Sequence, residues 1–264
     1  MRFDAFDAAR PVVGMVHLPP LPGAPGGDDL DGVVERAVAD AEALAAGGVD
    51  GVVVENLGDA PYHPEDVPKH TVAGMTRATR AVVEAVDRPV GVNVLRNDAA
   101  AALSVAAAAG GDFLRINVHV GARVTDQGLL EGRAHETLRL RDRLDADVAV
   151  WADVDVKHSA PLGERSVRGA VRDACERGLA DAVVVSGPAT GRTTAESTLA
   201  AAVDARDAVA PETPVVVGSG VTAGDTELLS TADGAIVGTA LKDGGETTAP
   251  VDERRVTEVV EALR

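Results

Sequence analysis

The sequence predicts an α/β fold, a single (β/α)8 TIM barrel, and three observations predict it. Eight short β-rich runs occur along the 264 residues, each is followed by an Ala-rich amphipathic stretch, and the β-rich runs are continuously apolar rather than alternating. Continuous apolar strands belong to parallel sheets covered on both faces. Strict eightfold β–α alternation favours a closed barrel, with an open doubly wound sheet as the alternative. Barrels of this kind reach about 250 residues as one domain. No linker or low-complexity tract interrupts the chain, so one domain is expected over residues 1–264.

The strand runs are Val12–Leu18, Gly51–Asn56, Pro89–Leu95, Phe113–Val118, Val148–Val154, Ala182–Ser186, Pro214–Gly218 and Gly234–Gly238. The intervening helices are expected at Asp31–Ala46, Thr71–Val86, Asp98–Ala109, Gly128–Leu144, Glu164–Arg177, Thr194–Val209, Thr222–Ser230 and Asp252–Leu263. Thr71, Asp98, Thr194, Thr222 and Asp252 offer side-chain oxygens as N-caps. Gly47-Gly48, Gly110-Gly111 and Gly178 mark helix ends. A Pro/Gly loop, Pro19–Gly27, follows the first strand. No Gly-x-Gly-x-x-Gly follows it, which speaks against dinucleotide binding.

Aromatic residues make up only 2% of the chain, so the core must be built from Val, Ala, Leu and Ile. Acids outnumber Lys and Arg by 42 to 25, for a net charge of −17, and only Lys69, Lys157 and Lys242 are lysines. A scattered acidic surface with almost no lysine keeps a protein hydrated where salt screens charge repulsion. It predicts a halophilic cytoplasm and excludes a broad basic face for nucleic acid. Cys175 has no partner for an internal disulfide and reads as a buried, inert thiol in a reducing compartment. Neither a signal segment nor an apolar run of about 18 residues is present, so a cytoplasmic protein with no membrane span is expected. Outer helices of barrels often associate, and a homo-oligomer is expected.

In such barrels ligands bind at the carboxyl ends of the strands, where this sequence gathers His17, Glu55, Asn56, Asn93, Arg96, Arg115, Asn117, His119, Trp151, Asp153, Asp155, Lys157, His158, Ser186 and Gly187. Polar groups there are costly unless they serve a ligand or one another. Gly218-Ser219-Gly220, leading from a strand into a helix, and Gly238-Thr239 one unit later form paired turns of the kind that binds phosphate through backbone N–H groups. Lys242 follows the second turn as a candidate phosphate ligand. Two ordinary tight turns are the plainer alternative. Thr190 and Gly191, after the sixth strand, could add substrate contacts beside Ser186 and Gly187.

Asp153-Val-Asp155-Val-Lys157 alternates, so an extended chain puts its charged side chains on one face. They could move a proton, polarise a carbonyl or, through Lys157, form a Schiff base. A self-satisfied Asp–Lys–Asp network is the competing reading. His17 and Glu55, on adjacent strands, could form an acid/base pair or simply a hydrogen bond; Glu55 and Asp153 could hold a divalent metal such as Mg. Asn56, Asn93 and Asn117 read as orienting groups, Arg96 and Arg115 as holders of a second anion, and His158 as a further substrate contact. His63, His70 and His135 read as surface or loop residues.

The stretches Pro11-Val-Val-Gly-Met-Val-His17-Leu-Pro-Pro-Leu-Pro-Gly23, Glu55-Asn-Leu-Gly-Asp59-Ala-Pro61, Arg115-Ile-Asn117-Val and Thr125-Asp-Gln-Gly-Leu-Leu-Glu-Gly132 resemble signatures of the BtpA/SgcQ family. So do Trp151-Ala-Asp153-Val-Asp155-Val-Lys157-His158, Gly218-Ser-Gly-Val221 and Asp233-Gly-Ala-Ile-Val-Gly238-Thr-Ala-Leu-Lys242, and the likeness spans nearly the whole chain. The resemblance implies a phosphate-binding barrel of the ribulose-phosphate type. It implies no settled reaction: the family is named for photosystem I biogenesis, and other members occur in sugar-utilisation gene sets. Residues and resemblance together predict an enzyme acting on a small phosphorylated ligand, by isomerase-, lyase- or aldolase-type chemistry. A non-catalytic assembly factor and a metal-dependent hydrolase are the alternatives.

Overall fold

Eight parallel strands hydrogen-bond in cyclic order in the computed structural model, which describes residues 3, 5–27, 29–154, 158–187, 194–218 and 220–264. They are β1 (Val12–His17), β2 (Gly51–Glu55), β3 (Val90–Asn93), β4 (Phe113–Ile116), β7 (Ala149–Val154), β9 (Ala182–Ser186), β10 (Val215–Gly218) and β11 (Gly234–Val237), which returns to pair with β1. Helices α1 (Leu30–Ala46), α2 (Lys69–Ala85), α3 (Ala99–Ala109), α4 (Ala134–Leu144), α5 (Val167–Glu176), α6 (Glu196–Val209), α7 (Thr226–Thr231) and α8 (Glu253–Leu263) follow the strands in turn. The barrel expectation holds at every strand, with ends trimmed by one or two residues. No helix among the described residues is long and apolar enough to cross a membrane.

The strands close through a device repeated four times. Asp50, Asp112, Asp181 and Asp233 stand immediately before β2, β4, β9 and β11. Their carboxylates accept hydrogen bonds from the amides of Val12, Val90, Val150 and Val215 at 2.8–2.9 Å. Each Asp returns its own N–H to the carbonyl of the same valine at 2.8 Å. Amides at the rim of a sheet need a partner, and these carboxylates supply it while holding β1, β3, β7 and β10 in register with β2, β4, β9 and β11.

Every second residue of a strand points inward. Val13 and Met15, Val53, Phe113, Trp151, Ala182 and Val184, Val216 and Ile236 fill the interior, while Val12, Val16, Val52, Val54, Val92 and their equivalents pack outward against the helices. Trp151, expected at the mouth, lies one layer below Asp153. There it stacks on Phe113 with ring centroids 4.2 Å apart, under Phe3 and Phe6 of the N-terminal segment. Four of the five aromatic residues in the chain therefore plug the amino end of the barrel. Glycine makes room for them: a Cβ on Gly91 would lie 2.3 Å from the Phe113 ring. The Gly91→Ala variant is expected to lose about 1–3 kcal/mol of stability, read by urea denaturation, because the stacked ring has nowhere to move; an unchanged midpoint would contradict this packing.

The helix expected from Gly128 begins only at Ala134. Residues 122–131 instead form a hairpin, β5 (Ala122–Thr125) with β6 (Gly128–Glu131), and β8 (Ser159–Pro161) joins it as a third antiparallel strand. Gly128 adopts φ +105°, a conformation that favours glycine over any side chain, and Gly-Leu-Leu-Glu then alternates: Leu129 is exposed and Leu130 fully buried. A period of two governs a segment that the leucine content suggested was helical. Of the expected caps, Asp98 and Asp252 accept from Ala101 and Arg254 amides. Thr71 lies inside α2, and Thr194 and Thr222 precede caps at Ala195 and Asp225. Cys175 is buried, and burial pushes its thiol up to about 11, as an inert thiol requires.

Candidate functional site at the barrel mouth

The inward-facing rows change character in their last layer. Two residues beyond the apolar filling come His17 on β1, Glu55 on β2, Asn93 on β3, Arg115 on β4, Asp153 on β7 and Ser186 on β9, while β10 and β11 lead into Gly218 and Gly238. All six side chains are buried or nearly so. A Cβ on Gly218 would sit 3.4 Å from Ser186 Oγ, and one on Gly238 3.3 Å from His17 Cε1. The two glycines thus leave space beside Ser186 and His17 that any other residue would fill.

At the centre, Arg115 and Asp153 form a two-pronged ion pair, Nε to Oδ1 and Nη2 to Oδ2, both at 2.9 Å. Asn117 Nδ2 adds a third hydrogen bond to Asp153 at 3.1 Å, and Asn93 Nδ2 donates to the Arg115 carbonyl at 2.9 Å. Burial works against the Arg115 charge, but Asp153 outweighs it and raises the guanidinium above its ordinary value. This corrects the parts expected of both residues. Each Asp153 oxygen already accepts from the protein, so among the described residues the carboxylate and the Arg115 guanidinium are engaged with each other. Asp153 is held by Arg115 and Asn117, partners other than those of the Asp–Lys–Asp network weighed from the sequence. Asp155 and Lys157 lie outside the described residues, as do Ser219, Thr190 and Gly191.

His17 and Glu55 come together with Nε2 to Oε1 at 3.8 Å. His17 Nδ1 lies 3.0 Å from the Thr247 carbonyl, and a carbonyl only accepts, so Nδ1 carries the hydrogen. In the neutral ring Nε2 then keeps its lone pair facing Glu55, the arrangement from which a proton can be exchanged. Tyr62 belongs to the same corner: its hydroxyl donates to the Leu57 carbonyl, and burial, with Glu55 adding to it, pushes its pKa up to about 12. Among the described residues no three His, Cys, Asp or Glu side chains gather as a metal site, so Glu55 and Asp153 have no third partner there.

Two buried polar atoms of this layer, Asn93 Oδ1 and Ser186 Oγ, have no hydrogen-bond partner among the described residues. Such atoms are costly in a folded protein and point to where a ligand or water would bind. Gly187 continues from Ser186 as a buried residue.

Other expected contacts have different work. Asn56 ties three loops, accepting from the Leu95 amide at 2.7 Å and donating to Asp59 at 3.0 Å, while Asp59 accepts from the Leu21 amide. It braces these loops. Arg96 is buried with its amide bonded to the His63 carbonyl, and His158 is exposed at the start of the accessory sheet. The largest correction concerns Lys242. It is fully buried, 3.2 Å from Asp40 of α1, and therefore cannot reach a phosphate at the mouth. Burial lowers its pKa, with Asp40 opposing.

The paired turns after β10 and β11 do lie side by side. Gly220, at φ +79°, and Thr222 line one wall of a cavity of about 340 Å3 whose other wall is Thr239 and Ala240. Thr239–Leu241 is a short 3-10 turn, and its Thr239 hydroxyl meets that of Thr247 at 2.9 Å. Thr247 thus touches both His17 and Thr239, a link no local motif announced. His119, expected at the end of the fourth strand, is buried with Nε2 2.8 Å from the Gly178 carbonyl, and burial lowers its pKa.

Comparison with known proteins agrees with this architecture. The photosystem I biogenesis protein BtpA of Synechocystis sp. is 46% identical over 263 residues, covering 99% of this chain and 90% of that protein. An uncharacterized protein of Thermococcus kodakarensis is 46% identical over 257 residues, covering 97% and 95%. Among solved structures, N-(5'-phosphoribosyl)anthranilate isomerase from Pyrococcus furiosus superimposes with a TM-score of 0.56 at 12% identity, covering 96% of this chain and 98% of that one; at that identity the likeness is one of fold. The sequence pattern of the BtpA family matches residues 8–264, and the chain belongs to that family.

Proposed function

We propose that the protein is an enzyme acting on a small phosphorylated metabolite, such as a sugar phosphate, at the carboxyl face of its barrel. One observation carries this reading: the inward rows turn from apolar to polar in a single layer and end in glycine on the two strands whose turns flank a cavity. Backbone amides of the turns holding Gly218, Gly220, Gly238 and Thr239 would receive the phosphate. Asn93 and Ser186 would orient the rest of the ligand through their unpartnered oxygens. His17 and Glu55 would transfer protons, Nε2 of His17 exchanging a proton with the ligand and Glu55 stabilising the imidazolium that results. Arg115 and Asp153, paired with each other and tied to Asn117, would form a rigid floor beneath the ligand.

Thermal denaturation in low-chloride buffer with ribose 5-phosphate, set against unphosphorylated ribose, tests the proposal. A ligand at about a hundred times its Kd adds about 2.7 kcal/mol, a readily measured rise in Tm. No rise with this or any other phosphate ester would defeat the reading. A second reading, a non-catalytic assembly factor, has its own support: Val124 and Leu129 pair across the accessory sheet at 46% and 45% exposure, with Leu162 at 67% just beyond it. Partner capture that survives Glu55→Gln but not Leu129→Asp would favour it.

A further inference from the structure

We propose that Arg255 of α8 is the cation that holds the phosphoryl group in the cavity between the turns after β10 and β11. The inference rests on the phosphate reading above and assigns the charge that Lys242 cannot supply. Arg255 lines the cavity of about 340 Å3 together with Gly220, Thr222, Thr239 and Ala240. Its Nε donates to the Ala240 carbonyl at 3.0 Å, which fixes the guanidinium plane against the turn that lines the cavity. Among the described residues no carboxylate pairs with it and nothing accepts from its two terminal amino groups, whereas Arg36, Arg141 and Arg206 each meet an Asp. In a chain of net charge −17 a half-buried guanidinium left without a carboxylate is an informative exception.

The chemistry fits a phosphate monoester. A guanidinium anchored through Nε presents its remaining N–H groups as a fork, and the planar fork matches two phosphate oxygens. Backbone amides on the opposite wall would take the third. The carboxylate of Glu258, which also borders the cavity but is exposed, stands on the solvent side and disfavours a ligand carrying further negative charge in that direction. On this reading the site takes one terminal phosphate of an otherwise uncharged metabolite.

Calorimetric titration with ribose 5-phosphate and with inorganic phosphate tests this on four proteins: the unmodified chain, Arg255→Gln, Arg255→Lys and Arg254→Gln. Gln can keep the tie to the Ala240 carbonyl but removes the charge; Lys keeps the charge and loses the fork. Arg255→Gln is expected to weaken binding by about ten- to hundredfold, the usual range for a charged hydrogen-bond partner. Arg255→Lys is expected to lose less, and the exposed Arg254→Gln nothing. Arg255→Gln binding as well as the unmodified chain would overturn the role of Arg255 while leaving the phosphate reading intact. Equal losses in Arg255→Gln and Arg255→Lys, accompanied by a matching fall in Tm, would show that the residue merely braces the turn. Binding of neither probe by the unmodified chain would defeat the phosphate reading itself.

Discussion

Asp153→Ala is expected to lower unfolding stability by about 3–5 kcal/mol, one of the two largest effects of any single substitution considered for this protein. Removing one member of a buried ion pair leaves the other charge without water or counter-ion. Here the orphan would be Arg115, held inside the barrel with its Nε and Nη2 unanswered, and Asn117 would lose its acceptor as well. The charge cannot be shed, because Arg115 stays protonated at any ordinary pH. Chemical denaturation measures the loss, and a second variant identifies its origin. Arg115→Met together with Asp153→Leu removes both charges in a space already bordered by apolar filling, and should recover most of the deficit. A double variant as unstable as Asp153→Ala would mean that the cost arises from packing rather than from an uncompensated guanidinium.

Asp40→Asn should cost a similar amount near neutral pH, about 3–5 kcal/mol, for the same reason applied to Lys242. The amide can still accept from the Val251 N–H and from Arg36, so the change falls chiefly on the charge facing the lysine. The pH dependence separates it from the first case. Burial already lowers the Lys242 pKa, and loss of Asp40, which raises it, lowers it further. Between a depressed folded value and the ordinary lysine value the unfolded chain binds more protons than the folded one, so stability rises with pH through that window. The window opens at lower pH in the variant, and the gap between variant and unmodified chain should therefore narrow as pH rises. Stability curves at several pH values that stay parallel, or a Lys242→Met addition that recovers nothing, would refute this account.

Both pairs show where reading residues in order stops. Asp153 and Lys242 were recognisable as uncommon charges near strand ends, but their partners lie 38 and 202 positions away. Local pattern cannot tell a charge facing a ligand from one facing another charge. The same distance hid Thr247, which reaches His17 across 230 positions, and Arg255, whose helix looked like an ordinary closing element. The helix expected at Gly128 failed for a different reason: Leu130 is held by the accessory sheet, and a tertiary contact overrode helical propensity.

What the amino-acid order determined by itself is the barrel and the layer that forms its mouth. Eight continuously apolar runs, parted by amphipathic segments, leave few ways to bury both their faces, and the inward-outward alternation of a strand that puts Val53 and Val184 inside places Glu55 and Ser186 two steps further on. What only the tertiary structure decided is the division of labour within that layer. Arg115 neutralises Asp153, Asp40 sequesters Lys242, and Arg255 stays free of any carboxylate among the described residues. The physical reason is that strand periodicity is a property of neighbours in the chain, whereas the fate of a buried charge depends on which opposite charge closure of the barrel brings beside it.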